Sequence, residues 1–248
     1  MIIDHIGYHI PGMPMWFCYI GRISAPLFFF CAACGFEHTS NKPLYIFRLY
    51  ICNLLMCVGT IIISILLHAE SEYSFWGFGM FTTLFISALI CYLLEQKKYV
   101  FLILFVCYQI MLLCGLYAVD ILTRFLPEMI VSQLYISIFG FAFSTEGGII
   151  FIALFCTMYM LKENRILIAA CILGFAFLIY KGTHRAWSST FMMDTVFPFG
   201  DKQYFMAFSI PIILLYNGKK GRGSKYFYYA FYPIHLWILC IIQKVFLN

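Results

Sequence analysis

The chain is a succession of apolar runs near 20 residues long, separated by short polar clusters. A run of that length crosses the hydrocarbon of a bilayer as one helix. Only 11% of the residues are charged and 63% are hydrophobic, with a mean hydropathy of +0.90. An ordinary soluble domain carries about 25% charged residues, so a soluble fold is excluded. The expectation is an all-α, polytopic integral membrane protein, residues 1–248 forming a single domain of about nine transmembrane helices plus one re-entrant or interfacial segment. The net charge of +5 comes from cations grouped between apolar runs, the pattern of the positive-inside rule, so topology accounts for it and no nucleic-acid partner is expected.

Residues 1 to 10 are too short to span, so either this helix is half a span or the start lies inside it. No basic n-region precedes it and Asp4 and His5 interrupt it, so no cleavable signal is expected. Pro11-Gly12-Met13-Pro14 reads as a turn. Spans are expected at roughly 15 to 36, 44 to 67, 75 to 94, 99 to 119, 147 to 161, 166 to 180, 204 to 217 and 226 to 246. Pro43 suits the first turn of its helix, and the loop at His68-Ala69-Glu70-Ser71-Glu72 has no lysine or arginine. Residues 129 to 143 are apolar but short. Reading them as re-entrant or interfacial puts Lys42, Lys97, Lys98, Lys162, Arg165, Lys219, Lys220, Arg222 and Lys225 in the cytoplasm and only Arg124, Lys181, Arg185 and Lys202 outside, the expected bias. The longest loop, 181 to 203, carries His184, Arg185, Trp187, Asp194 and Asp201 and suits a cap over an external cavity.

Ionisable residues inside such runs are costly, by several kcal/mol for an unpaired guanidinium, and are normally kept for function. Arg22 lies ~10 Å into its span and His5 ~7 Å from the outer end of its helix, at similar depth. Asp4 beside His5 has the wiring of a general base, the acid orienting the imidazole; the plainer reading is a polar helix end. Asp4 and Arg22 suit a structural ion pair, or Arg22 holds a carbonyl or carboxylate of a ligand. His38, sixteen residues past Arg22, lies ~24 Å along a straight helix. With Asn41, Lys42 and Arg48 it gathers donors and positive charge at the cytoplasmic edge, suiting phosphates or simply forming a basic loop. Tyr232-Pro233-Ile234-His235 sits within the last span. There the proline frees the carbonyl of residue 229, and His235 lies ~14 Å in, as a packed histidine or a channel residue. The eleven cysteines lie almost entirely in apolar runs, where cysteine acts as a small hydrophobe, so no disulfide framework is expected. Cys31-Ala32-Ala33-Cys34 lacks a second ligand pair, so no metal is expected either. Glu146-Gly147-Gly148 reads as a close-packing turn.

Taken together, Ile3-Asp4-His5-Ile6-Gly7, Ile20-Gly21-Arg22-Ile23-Ser24-Ala25-Pro26-Leu27-Phe28, and Gly35-Phe36-Glu37-His38-Thr39-Ser40-Asn41-Lys42 with Arg48 form an ordered set of motifs. Phe81-Thr82-Thr83-Leu84, Glu146-Gly147-Gly148-Ile149, Leu214-Leu215-Tyr216-Asn217-Gly218 and Phe231-Tyr232-Pro233-Ile234-His235-Leu236 continue it. The set resembles the TraX-type acyltransferases, within the wider group of multi-pass membrane acyltransferases, along almost the whole chain. Family members usually carry a full apolar segment before the Asp-His pair. The resemblance implies transfer of an acyl group, acetyl foremost, from coenzyme A to an amine or hydroxyl of an exported acceptor. The acceptor is a pilin or other peptide, a sugar or a lipid, and the setting is the cytoplasmic membrane of a bacterium.

On that reading His5 takes the acceptor's proton, Asp4 orients it, Arg22 holds the carbonyl, His235 is the other candidate base, and His38, Asn41, Lys42 and Arg48 hold the phosphates of acetyl-CoA. A transporter using the same buried groups, favoured by an internal repeat, and a non-enzymatic conjugation or pilus assembly factor are the rivals. No repeat is evident. Cysteine tags at Lys97 and Lys220 are expected to react only from the cytoplasm, and tags at Glu72 and Trp187 only from outside. Labelling of Lys220 from outside makes 129 to 143 a true span.

Overall fold

The computed structural model describes residues 1–10, 12–67, 79–115, 123–124, 127–184, 200–219, 221 and 225–246. The expectations on His68, Glu70, Glu72, Arg185, Trp187, Asp194, Lys220 and Arg222 lie outside them. Eleven α-helices occur among the described residues: α1 (Ile2–His9), α2 (Trp16–Gly21), α3 (Ser24–Glu37), α4 (Lys42–Leu66), α5 (Met80–Glu95), α6 (Tyr99–Cys114), α7 (Glu128–Phe139), α8 (Gly148–Met160), α9 (Arg165–His184), α10 (Ile210–Leu214) and α11 (Lys225–Phe246). Two 3-10 helices, Ala142–Ser144 and Gly200–Ser209, complete the set. No strand occurs among these residues. The stretches Trp16–Glu37, Lys42–Leu66 and Arg165–Gly182 are long and apolar enough to cross a membrane, while α5, α6 and α8 are apolar but shorter.

The chain forms two compact units, one of residues 1–35 and 157–248, the other of residues 36–156. Both boundaries fall within helices, α3 and α8, rather than in linkers.

In the second unit α4 packs on α5 and α7, and α5 on α6. Helix α6 turns Phe101, Ile103, Leu104 and Ile110 outward and buries Gln109 with Leu112. That is the inverse of a soluble amphipathic helix, and it suits lipid outside and a polar partner inside. Asn41 caps α4, its Oδ1 accepting from Leu44 N–H at 2.9 Å, with Pro43 in the first turn as expected. Lys42 Nζ reaches both carboxylate oxygens of Glu95 at 2.6 Å, so the start of α4 lies beside the end of α5. Thr83 Oγ1 donates to Glu146 O at 2.8 Å, and Gly148 N–H donates to Thr145 O at 2.9 Å. The close turn read at Glu146-Gly147-Gly148 is therefore present.

Helix α7 is 12 residues long, about 18 Å at the α-helical rise and so shorter than the hydrocarbon layer. Its end is set by Gly140, in the left-handed region at φ 63°, ψ 54°, a conformation that glycine adopts without steric cost. The last four carbonyls of a helix have no partners within it, and in apolar surroundings each must be satisfied elsewhere. Four carbonyls at this end receive side chains from two other helices. Asn53 Nδ2 donates to Ser137 O at 2.8 Å, Tyr50 OH to Ile138 O at 3.0 Å, Tyr108 OH to Phe139 O at 2.9 Å and Gln109 Nε2 to Gly140 O at 3.0 Å. The two amides are satisfied at their other ends too, Asn53 Oδ1 by Thr82 Oγ1 at 2.7 Å and Gln109 Oε1 by Ala142 N–H at 2.9 Å. A helix that stops inside an apolar unit is tolerated because protein groups replace water there.

In the first unit α1 packs on α2 and α11, and the 3-10 helix Gly200–Ser209 packs on α2, α9 and α10. Arg165, at the start of α9, donates to Tyr216 O. Helix α11 runs unbroken through Pro233. The span read at 204 to 217 is a different object. A ten-residue 3-10 helix precedes the five-residue α10, and its buried row Gln203, Met206, Ser209 repeats every three residues, the 3-10 period.

The caps on α7 make a stability prediction. Asn53→Ala strips a donor from Ser137 O and an acceptor from Thr82, and is expected to cost about 1–3 kcal/mol in a reversible unfolding titration in mixed detergent micelles. An unchanged midpoint would mean that the α7 end draws its satisfaction from elsewhere.

Candidate functional site

The site is built where the helix breaks between α2 and α3. Pro26 has no N–H to give to the carbonyl four residues earlier, which is that of Arg22, and its ring crowds that carbonyl. The α-helical ladder accordingly lapses at Arg22 and Ile23. Ile23 N–H donates to Ile20 O at 3.2 Å and Ser24 Oγ closes back onto Gly21 O at 2.7 Å. Arg22 is thereby placed at a bend, and it is 4% exposed.

A guanidinium so buried must be compensated by charge and hydrogen bonds. Asp4 Oδ1 lies 3.2 Å from Arg22 Nη2, and Arg22 Nη1 donates to Gln203 Oε1 at 3.2 Å. The approach of Asp4 depends on Gly21, because a Cβ there would run into the Asp4 side chain. Gly7 plays the reciprocal part on α1. A Cβ on it would stand 2.9 Å from Phe17 Cβ and 3.2 Å from Cys18 Sγ. Small residues at a helix crossing let backbones come together, and here the crossing delivers a carboxylate to an arginine.

The same helix carries His5 against α11. Its ring centroid is 5.3 Å from that of His235, the planes inclined at 51°, and each histidine is buried. His235 Nδ1 lies 2.7 Å from Phe231 O. A carbonyl oxygen only accepts, so Nδ1 carries the proton, and in the neutral ring Nε2 holds the lone pair. Phe231 stacks on His235 at 5.1 Å and Tyr232 meets it edge-on at 5.7 Å, fixing the ring from two sides.

All four residues expected to do chemistry, Asp4, His5, Arg22 and His235, thus lie in the first unit in one contiguous set. One expected arrangement changes. Asp4 faces Arg22 rather than orienting His5, because consecutive residues on a helix point about 100° apart and do not face each other. The four expected phosphate residues lie in the second unit, where two have structural employment: Asn41 as a helix cap and Lys42 as the partner of Glu95. His38 is exposed and Arg48 half-buried. Gln203 was not anticipated. It sat at the end of what reads as a loop, and only a search at period three, aligning Gln203, Met206 and Ser209, would have marked it as inward-facing. Among the described residues no group of three metal-ligating side chains occurs.

No curated protein and no solved structure matches the chain. The TraX protein family does, over residues 1–243, a match that reaches from α1 into α11. The chain therefore belongs to the TraX family.

Proposed function

We propose that this TraX family member is a membrane acyltransferase that moves an acyl group, acetyl first among candidates, from coenzyme A to an amine or hydroxyl of an exported acceptor. The acceptor is a pilin or other peptide, a sugar or a lipid. The observation that carries the reading is the pair of buried imidazoles, one held in a defined tautomer, beside an arginine fixed by its own carboxylate.

A base must reach the acceptor's proton and have a lone pair to take it. The Phe231 carbonyl commits His235 Nδ1 to donating, so Nε2 is the atom that accepts, with His5 packed against the same ring. Arg22, anchored by Asp4 and Gln203, supplies a fixed positive charge for a carbonyl oxygen as it gains negative charge, the preorganised electrostatics on which acyl transfer depends. Asp4 then acts through Arg22 as a positioning residue. For the donor, His38, Asn41, Lys42 and Arg48 are the expected holders of the phosphates, with Asn41 and Lys42 also serving the fold. About nine spans, with α7 re-entrant or interfacial, and residence in the cytoplasmic membrane of a bacterium belong to the same proposal.

The test is turnover of labelled acetyl-CoA by purified protein in lipid nanodiscs with amine and hydroxyl acceptors. His235→Ala and His5→Ala are each expected to reduce transfer by about a hundred- to ten-thousandfold, the usual contribution of a general base, while the folded protein is retained on size-exclusion chromatography. Near-normal turnover in both variants would make the histidine pair a packing feature and remove the basis of the reading. Separately, Arg48→Ala is expected to weaken coenzyme A binding about ten- to a hundredfold, as loss of a charge-assisted hydrogen bond implies. Unchanged affinity by calorimetry would place the phosphates elsewhere.

A further inference from the structure

Three carboxamide side chains are buried among the described residues: Asn53, Gln109 and Gln203. Asn53 and Gln109 have both ends occupied by partners within the protein. Gln203, 3% exposed, has one. Its Oε1 accepts from Arg22 Nη1, and its Nε2 has no hydrogen-bond partner among the described residues. The orientation of the amide follows from chemistry, since a guanidinium offers only donors and the oxygen must therefore be the end that faces Arg22. The amide plane then directs Nε2, with two N–H groups, away from Arg22 into buried surroundings. A buried donor left unmade is costly, and such groups in native proteins call for a reason, catalytic roles among them.

The rest of the row supports a fixed placement. Met206 and Ser209, the next residues on the same 3-10 face, are fully buried, and Ser209 Oγ is tied to Met206 O at 2.7 Å. On the adjoining ridge Phe205 stacks on Tyr19 at 4.6 Å, and the Lys202 ammonium lies 5.8 Å from the centre of the Tyr19 ring. Gln203 is thus held by its neighbours on both sides, and its amide is held by Arg22.

We propose that Gln203 Nε2 donates a hydrogen bond to the carbonyl oxygen of the acyl thioester and stabilises the charge that this oxygen gains during transfer. The proposal rests on the acyl-transfer reading. The acceptor's lone pair forms the bond to the carbonyl carbon, the C=O π pair moves onto oxygen, and the acceptor's proton passes to His235 Nε2. Collapse restores the C=O bond and breaks the C–S bond, the pair leaving on sulfur, and the thiolate takes the proton from the imidazolium. Gln203 strengthens its hold as the oxygen charges, which lowers the barrier rather than merely tightening binding.

The decisive variant is Gln203→Glu, which keeps an acceptor for Arg22 and deletes the donor. Gln203→Met deletes the donor without adding charge. Isotope-edited infrared spectroscopy of carbonyl-labelled acetyl-CoA bound to the full chain in nanodiscs is expected to show the thioester band at lower frequency than in solution. Both variants should return it to the solution position. In the turnover assay kcat should fall by about a hundred- to a thousandfold for each variant, the range for loss of one oxyanion donor, with KM for the thioester little changed. Were Gln203 only a strut for Arg22, Gln203→Glu would keep both the shifted band and the rate, and that result overturns the inference alone. Failure of the wild-type protein to bind or turn over acetyl-CoA overturns the acyl-transfer reading and this inference with it.

Discussion

A guanidinium that is 4% exposed in an apolar helical protein has to be answered by an opposite charge or it will not be there. In the first unit that requirement organises the local architecture. Arg22 draws Asp4 to 3.2 Å, which obliges α1 to lie close on α2, which in turn obliges glycine at the crossing, because any Cβ at position 21 would occupy the space of the carboxylate. With α1 fixed there, His5 is fixed as well, one residue along and about 100° round the helix, and it meets His235 on α11. Taking away either charge would strand the other, a loss of about 3–5 kcal/mol in measured buried pairs. The ion pair is thus both the condition for the helix crossing and the means by which two imidazoles on distant parts of the chain come to face each other.

The second unit handles polarity differently. Its buried amides and hydroxyls serve the backbone, and the end of α7 shows why. A helix of 12 residues ending in apolar surroundings exposes carbonyls that lipid cannot satisfy. Two residues of α4 and two of α6 supply the missing donors. Residues that look like functional polar points in an apolar sequence, such as Asn53 and Gln109, are here the substitutes for solvent at a helix terminus that has none.

Much of this was legible. Apolar length gave α4 and α8 to within two residues at each end, and the cost of a buried arginine singled out Arg22 and suggested Asp4 as its partner. Proline was less well used. The span read at 15 to 36 is present as the membrane-capable stretch Trp16–Glu37, but the bend at Arg22 within it, which Pro26 marks by simple counting of four residues, went unread. The 3-10 helix Gly200–Ser209 was missed because mean hydropathy over a window carries no period, so nothing aligned Gln203 with Met206 and Ser209 and it fell with the loop before it. The role of Asp4 was misread from adjacency. Neighbours in sequence are not neighbours in space on a helix, and the carboxylate that seemed to belong to His5 belongs to Arg22. The employment of Lys42 by Glu95 depends on where α5 ends relative to α4, a tertiary fact that spacing within one segment does not contain.

The contrast between the units bears on where chemistry resides. Networks whose every donor and acceptor is matched rigidify a structure and leave nothing with which to bind. The amides of Asn53 and Gln109 come near that kind, with a partner at each end. The Arg22 network is matched on one side only: Asp4 and the oxygen of Gln203 are committed to the guanidinium, while the nitrogen of Gln203 is not committed to anything among the described residues. A desolvated donor costs about 1–3 kcal/mol when it is left unmade, and a catalytic role is one of the reasons for which proteins keep such a group. What that nitrogen requires is an acceptor oxygen, and under the proposed acyl transfer a thioester carbonyl, neutral on arrival and negative in transit, is an acceptor whose demand for the donor rises when the reaction needs it.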